Sequence, residues 1–158
     1  MKYLFDRRVK IFATAMVAML LIATCSSGPL VQAAADKEVR RLCAIDGGVK
    51  VYETVTLPAE RFDNWGNVIG LQIKGNAKPT DDYYSELETQ TLQDGNLRIV
   101  RVVARVLRRS DAKVLGESVR YGRGGGDVPG PWHPSTYDCP SIAESTGKLQ
   151  SSVFRQQN

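Results

Sequence analysis

The chain has 158 residues, with 21 lysines and arginines against 17 aspartates and glutamates, one histidine and three cysteines. That length supports one domain with a single core. Setting aside the four basic residues and one acid of residues 1–24 takes the net charge from +4 to +1, which excludes a charge-driven nucleic-acid partner, and one histidine among scattered carboxylates gives no metal-ligand spacing.

Lys2, Arg7, Arg8 and Lys10 precede thirteen uncharged residues, Ile11–Ala23. A positive flank followed by a short apolar run is the pattern of an export signal. A membrane span takes roughly 17 to 25 apolar residues, so this run is expected to be processed. Two cleavage sites compete. Ile22-Ala23-Thr24-Cys25 resembles the bacterial lipobox, in which the cysteine receives diacylglycerol and becomes the new N-terminus; Thr24 stands where Gly, Ala or Ser is usual. Ala33-Ala34-Ala35 is an ordinary Ala-x-Ala site, lying well past the apolar run and beyond Gly28-Pro29. The first site predicts a lipid anchor on Cys25, the second a secreted protein without one.

An odd cysteine in an exported chain requires an explanation. With Cys25 acylated, Cys43 and Cys139 remain as a pair in an oxidising compartment; two buried free thiols are the alternative. A bridge between them closes a loop of close to a hundred residues, for which chain entropy gives up to ~4.7 kcal/mol. The expected organisation is a signal over residues 1–24, a tether over 25–35 marked by small residues and a Gly-Pro break, and a single β-rich domain over 36–158. In the lipoproteins that the lipobox resembles, an aspartate after the cysteine favours the inner membrane. Ser26 stands there instead, so the resemblance implies the outer membrane, facing the periplasm.

The spacing of Val39, Leu42 and Cys43 predicts a short helix over 36–43 with Asp36 as its cap, ended at Asp46-Gly47-Gly48 because glycine accepts the left-handed conformation beyond a helix. Residues 49–57 alternate, placing Val49, Val51, Val55 and Leu57 on one side of a strand. Glu53 falls on that apolar side, either as a buried acid with a raised pKa or as a strand-end carboxylate paired with an arginine or turned to water.

Residues 58–66 read as a loop or helical turn and 67–74 as a second short strand. YYSELETQTL and LRIVRVVARVL, joined through Asp94-Gly95, read as a β-hairpin about a two-residue turn. That turn sets Leu87 opposite Val102, Thr89 opposite Val100, and Glu88 opposite Arg101. A further strand over 114–121 completes a meander. Arg98, Arg101, Arg105, Arg108 and Arg109 suggest a contact with anionic headgroups or a partner. The competing reading is a sheet face balanced by Glu86 and Glu88, or one covered by a helix lying over arginine stems.

Tyr121 to Asp127 is glycine-rich but lacks the Lys-Ser/Thr end of a phosphate-binding loop, and with the prolines that follow it reads as a long irregular loop. His133, the single histidine, is the only base available to a Ser/His/Asp hydrolase, with Asp127, Asp138 and Ser135 nearby in sequence. No catalytic residue set and no cofactor motif is evident. Trp65, Trp132 and Tyr137 lie on expected loops and form a possible binding surface, or else lid a small core.

The lipobox-like signal, the Cys-x-x-Asp-Gly-Gly turn at 43–48 and VKVYETV at 49–55 together resemble small proteobacterial lipoproteins of unassigned function. The resemblance implies a lipid anchor and no activity. The expected molecule is α+β, a short N-terminal helix followed by a mostly antiparallel meander with one disulfide, attached to the membrane through its N-terminal lipid and binding an envelope protein or a glycan. The alternatives are a secreted inhibitor or exclusion factor acting through Trp65 and Trp132, and a small hydrolase using His133.

Overall fold

The computed structural model describes residues 27–127, 130–131 and 133–157. The fold is α+β. Its centre is a meander of three long antiparallel strands, β4 (Tyr83–Gln93), β5 (Leu97–Arg108) and β6 (Val114–Gly125). Short strands complete a six-stranded sheet. β3 (Gln72–Ile73) runs parallel to the start of β4, while β1 (Gly48–Val51) and β7 (Thr136–Cys139) lie end to end along the free side of β6. A second, two-stranded sheet pairs β2 (Val55–Leu57) in parallel with β8 (Phe154–Gln156).

Both faces of the meander are covered, which explains the near-continuous apolar run of β5. Helix α1 (Ser27–Asp46) packs Ala35 and Val39 onto Leu97, Ile99, Val103, Val119 and Tyr121. On the other face, α2 (Thr146–Val153) sets Leu149 and Val153 against Ala104, Val106 and Leu115, joined by Leu57, Val68 and Phe154. Gly116 permits that approach, since a Cβ there would stand 2.6 Å from Val153 Cγ2.

Four expectations are corrected. The helix expected over 36–43 begins at Ser27, so residues 27–35 are helical and not a tether. Ala33 to Ala35 are strong helix formers, and Pro29 in the first turn lacks only an N–H that would have had no partner within the helix. The strand expected over 49–57 is two strands in two sheets. After Val51 the N–H groups of Tyr52 and Glu53 both donate to the Leu115 carbonyl, at 2.8 and 2.9 Å, and the chain turns away to join β8.

The hairpin register is displaced by two residues. Leu87 faces Ala104, Thr89 faces Val102 and Gln90 faces Arg101, because Gln93 pairs with Ile99, which leaves the five residues Asp94 to Arg98 between the last partners, and a bulge at Leu92 takes back one. An even displacement keeps every side chain on its expected face. Finally, Tyr121 to Gly125 continue β6 rather than forming a loop.

Candidate functional site

Asp36, Val39, Cys43 and Asp46 recur at three- and four-residue intervals and so share one face of α1, which is fastened to the sheet at three points. At one end Arg123, 5% exposed, donates from Nε to Asp36 Oδ1 at 2.5 Å and from Nη1 to the Gly125 carbonyl at 2.6 Å and to Ser135 Oγ at 3.0 Å. Gln32, one turn earlier, donates to Asp127 Oδ1 at 2.9 Å and to Ser135 Oγ at 3.2 Å. In the middle, Cys43 and Cys139 form a disulfide joining α1 to β7. At the other end Asp46 accepts from Arg101 Nη2 and from the Tyr121 hydroxyl, each at 2.7 Å.

Burial alone would raise the Asp46 carboxyl, but the Arg101 and Tyr121 hydrogen bonds outweigh it and hold the group below the ordinary aspartate range. A depressed native pKa gives stability that is present above the unfolded value, ~3.9, and is lost as pH falls through the native one. Asp46→Asn removes that contribution. The melting temperature of the wild type is expected to fall more steeply than the variant's on acidification below about pH 4, as measured by circular dichroism.

Arg101, Arg105 and Arg108 of β5 are paired with acids within the fold, whereas Arg98 donates to the Thr91 hydroxyl at 3.1 Å. Arg105 meets Glu88 at 2.9 Å and Glu117 at 3.5 Å, and Arg108 meets Glu53 at 2.5 Å. Arg109 donates to the Asp81 carbonyl and lies 5.1 Å from the Tyr84 ring centroid. Both arrangements weighed from sequence occur in part: α1 meets Arg101 through Asp46 and Glu88 meets Arg105, whereas Glu86 is paired with Lys74 at 2.6 Å. Glu53 is held below its usual range by hydrogen bonds from Lys113 and from Arg108, which outweigh the desolvation that opposes them. It is the strand-end carboxylate and not a raised-pKa acid.

Cys25 and Trp132 lie outside the described residues. Trp65 and Tyr137 are not brought together. Trp65, 85% exposed, caps a tight turn whose Asp63 carboxylate accepts the N–H groups of Trp65 and Asn67 and the Asn67 amide. The strands of that turn meet at Phe62 and Val68, which pack on the α2 side of the sheet. Tyr137 is half-buried on the α1 side, with the Arg40 guanidinium 5.5 Å from its ring centroid. His133 is exposed, while Asp127 and Ser135, the nearby groups a hydrolase would recruit, are engaged with each other, Gln32 and Arg123. Among the described residues no cluster of three or more His, Cys, Asp or Glu is placed to hold a metal, and no helix is long and apolar enough to cross a membrane.

Sequence reasoning missed a cleft between α2 and the sheet. It measures about 150 Å³ and is walled by Leu71, Ile73, Leu87, Ala104, Val106 and Leu149. Gln150 also lines it, and its Oε1 is buried without a hydrogen-bond partner among the described residues. The cleft opens beside β4, whose outer edge is paired by β3 only at Tyr84 and Ser85; from Glu86 to Gln93 that edge has no strand partner among the described residues. Ile73 and Leu87 at its mouth are 53% and 55% exposed. An apolar slot beside an open strand edge can receive an extended peptide, with main-chain hydrogen bonds to β4 and a side chain in the slot. The sequence signal for it was slight, because α2 (TGKLQSSV) supplies one wall with only two buried residues, Leu149 and Val153. No family model, no curated protein and no solved structure matches the chain.

Proposed function

We propose that the chain is a lipid-anchored protein of the cell envelope, attached through Cys25 to the outer membrane on its periplasmic side, and that it acts by binding a partner rather than by catalysis. The observation that carries this reading is the Cys43–Cys139 disulfide. It suits an oxidising compartment and accounts for two of the three cysteines, leaving as the third the one that ends the apolar run of an export-type segment. The extent of α1 favours Cys25 over the Ala-x-Ala site as the point of cleavage. Processing after Ala35 would discard the buried Ala35 and the Gln32 hydrogen bonds that belong to the folded domain.

Radiolabelled palmitate fed to cells producing the wild type should enter the protein, and Cys25→Ala should abolish the label. Equal labelling of the two overturns the anchor. For the partner, the cleft and the open edge of β4 suit an extended segment of an envelope protein better than a glycan, whose hydroxyl groups would meet mainly apolar walls. A photo-crosslinking residue at Leu87 should yield a discrete protein adduct in intact cells, and the same residue at exposed Lys50 should not. No adduct at Leu87, or the same adducts at both positions, overturns the proposed binding surface.

A further inference from the structure

We propose that the end of the domain formed by the first turns of α1 rests directly on the bilayer, with Leu30 and Val31 entering the headgroup region, so that the protein stands on the membrane without a flexible stalk. The inference rests on acylation of Cys25 and goes beyond it by naming the face that meets lipid.

Chain reach supplies the first argument. Only Ser26 separates Cys25 from Ser27, where α1 begins, and two residues of chain span at most ~7 Å. Nor can the helix swing away from the sheet. Gln32 is tied to Asp127 and Ser135, Ala35 is buried, and Asp36 is paired with Arg123. A lipid on Cys25 therefore brings this end of the sheet to the membrane along with the helix.

The second argument is the chemistry of that end. Residues 27–35 carry no charge, and the charges of α1 begin at Asp36. Within the charge-free stretch Leu30 is 71% exposed and Val31 51%, and Pro29, Ala33 and Ala34 are exposed beside them. Apolar side chains on an uncharged helix end, a turn or so from an acylated residue, have the character of an interfacial segment.

The same geometry directs the other exposed groups away from lipid. β4 runs from Tyr83 at the far end to Gln93 near the α1 start, where Gly126 donates to the Asn96 carbonyl and Leu97 packs beside Ala35. The turn bearing Trp65 belongs to the far end, since Arg61 at its base lies 4.0 Å from Asp82, next to Tyr83. Trp65 is thus separated from the bilayer by roughly the length of β5, on the order of 35 Å.

The test uses full-length protein matured in cells and reconstituted into phosphatidylethanolamine–phosphatidylglycerol vesicles containing dibrominated phosphatidylcholine. One form carries Leu30→Trp with Trp65→Phe and Trp132→Phe; the other carries Trp132→Phe alone and so reports from Trp65. The brominated lipid should quench the Leu30→Trp form several-fold more strongly than the Trp65 form, with emission shifted to the blue. Equal quenching of the two, or water-like unquenched emission from the Leu30→Trp form, overturns the docking. The intact mass of the same samples separates the two readings. Acylated protein with unquenched Leu30→Trp emission removes the docking alone, whereas a mature chain without acyl groups removes the anchor and the docking with it.

Discussion

Replacing Cys43 and Cys139 together by alanine is expected to lower the unfolding free energy by about 4–5 kcal/mol. The two cysteines are 96 residues apart in sequence, so the bridge removes the loop-closure freedom of most of the described chain from the unfolded ensemble. The loss is large against a typical domain stability of ~5–15 kcal/mol. It acts mainly through the unfolded chain, so the urea m-value should rise as the unfolded state, no longer cross-linked, exposes more surface. Reduction of the wild type should reproduce both changes. A loss below about 1 kcal/mol with an unchanged m-value would show that packing of α1 on the sheet holds these segments together without the bridge.

Removing the carboxylate of Asp36 is expected to cost about 3–5 kcal/mol, because it leaves the Arg123 guanidinium buried without its counter-charge. Arg123 is the most enclosed charged side chain among the described residues, and its other hydrogen-bond partners, the Gly125 carbonyl and Ser135, are uncharged. The sign of the double variant tests the cause. Asp36→Ala with Arg123→Met should be more stable than Asp36→Ala alone, because the methionine fills the space without a charge to desolvate. Urea midpoints for the wild type, both single variants and the double variant close the cycle. If Asp36→Ala and Arg123→Met instead contribute additively, the pair is not the fastening that the geometry describes.

The central meander was legible in the sequence because its signals are local and strong. Alternation and β-branched residues place β5, and Asp94-Gly95 marks the connection to β4. The register could not be read at the same level. Five residues between Gln93 and Ile99 with a bulge at Leu92 differ from a two-residue turn by a backbone choice, and the period-two pattern is blind to a displacement of two. The cysteine pairing was legible from compartment chemistry and arithmetic. The division of residues 49–57 was not, since it depends on the Leu115 carbonyl and on β8, both more than fifty residues away in sequence.

The candidate binding surface was the least legible part. Exposed aromatics were reasonable candidates, but Trp65 and Tyr137 lie on opposite sides of the sheet, a fact fixed by topology that no spacing encodes. The cleft depends on α2 lying over Ala104 and Val106, and on β3 stopping after two residues. The arginines of β5 posed the reverse difficulty. As a row they suggested a ligand, yet the acids that meet Arg101, Arg105 and Arg108 come from five separate segments: Asp46, Glu53, Glu88, Asp111 and Glu117.

The strand order bears on when the molecule can fold. β1 finds its partner at residues 116–119 and β2 at residues 154–156, while α1 packs on residues 97–139. Residues 27–51 thus have nothing to settle on until residues 97–139 have been made, and residues 55–57 wait for residues 154–156; pairings so distant along the chain form late. The meander of β4, β5 and β6 pairs between sequential strands and so forms ahead of the elements that later cover and flank it.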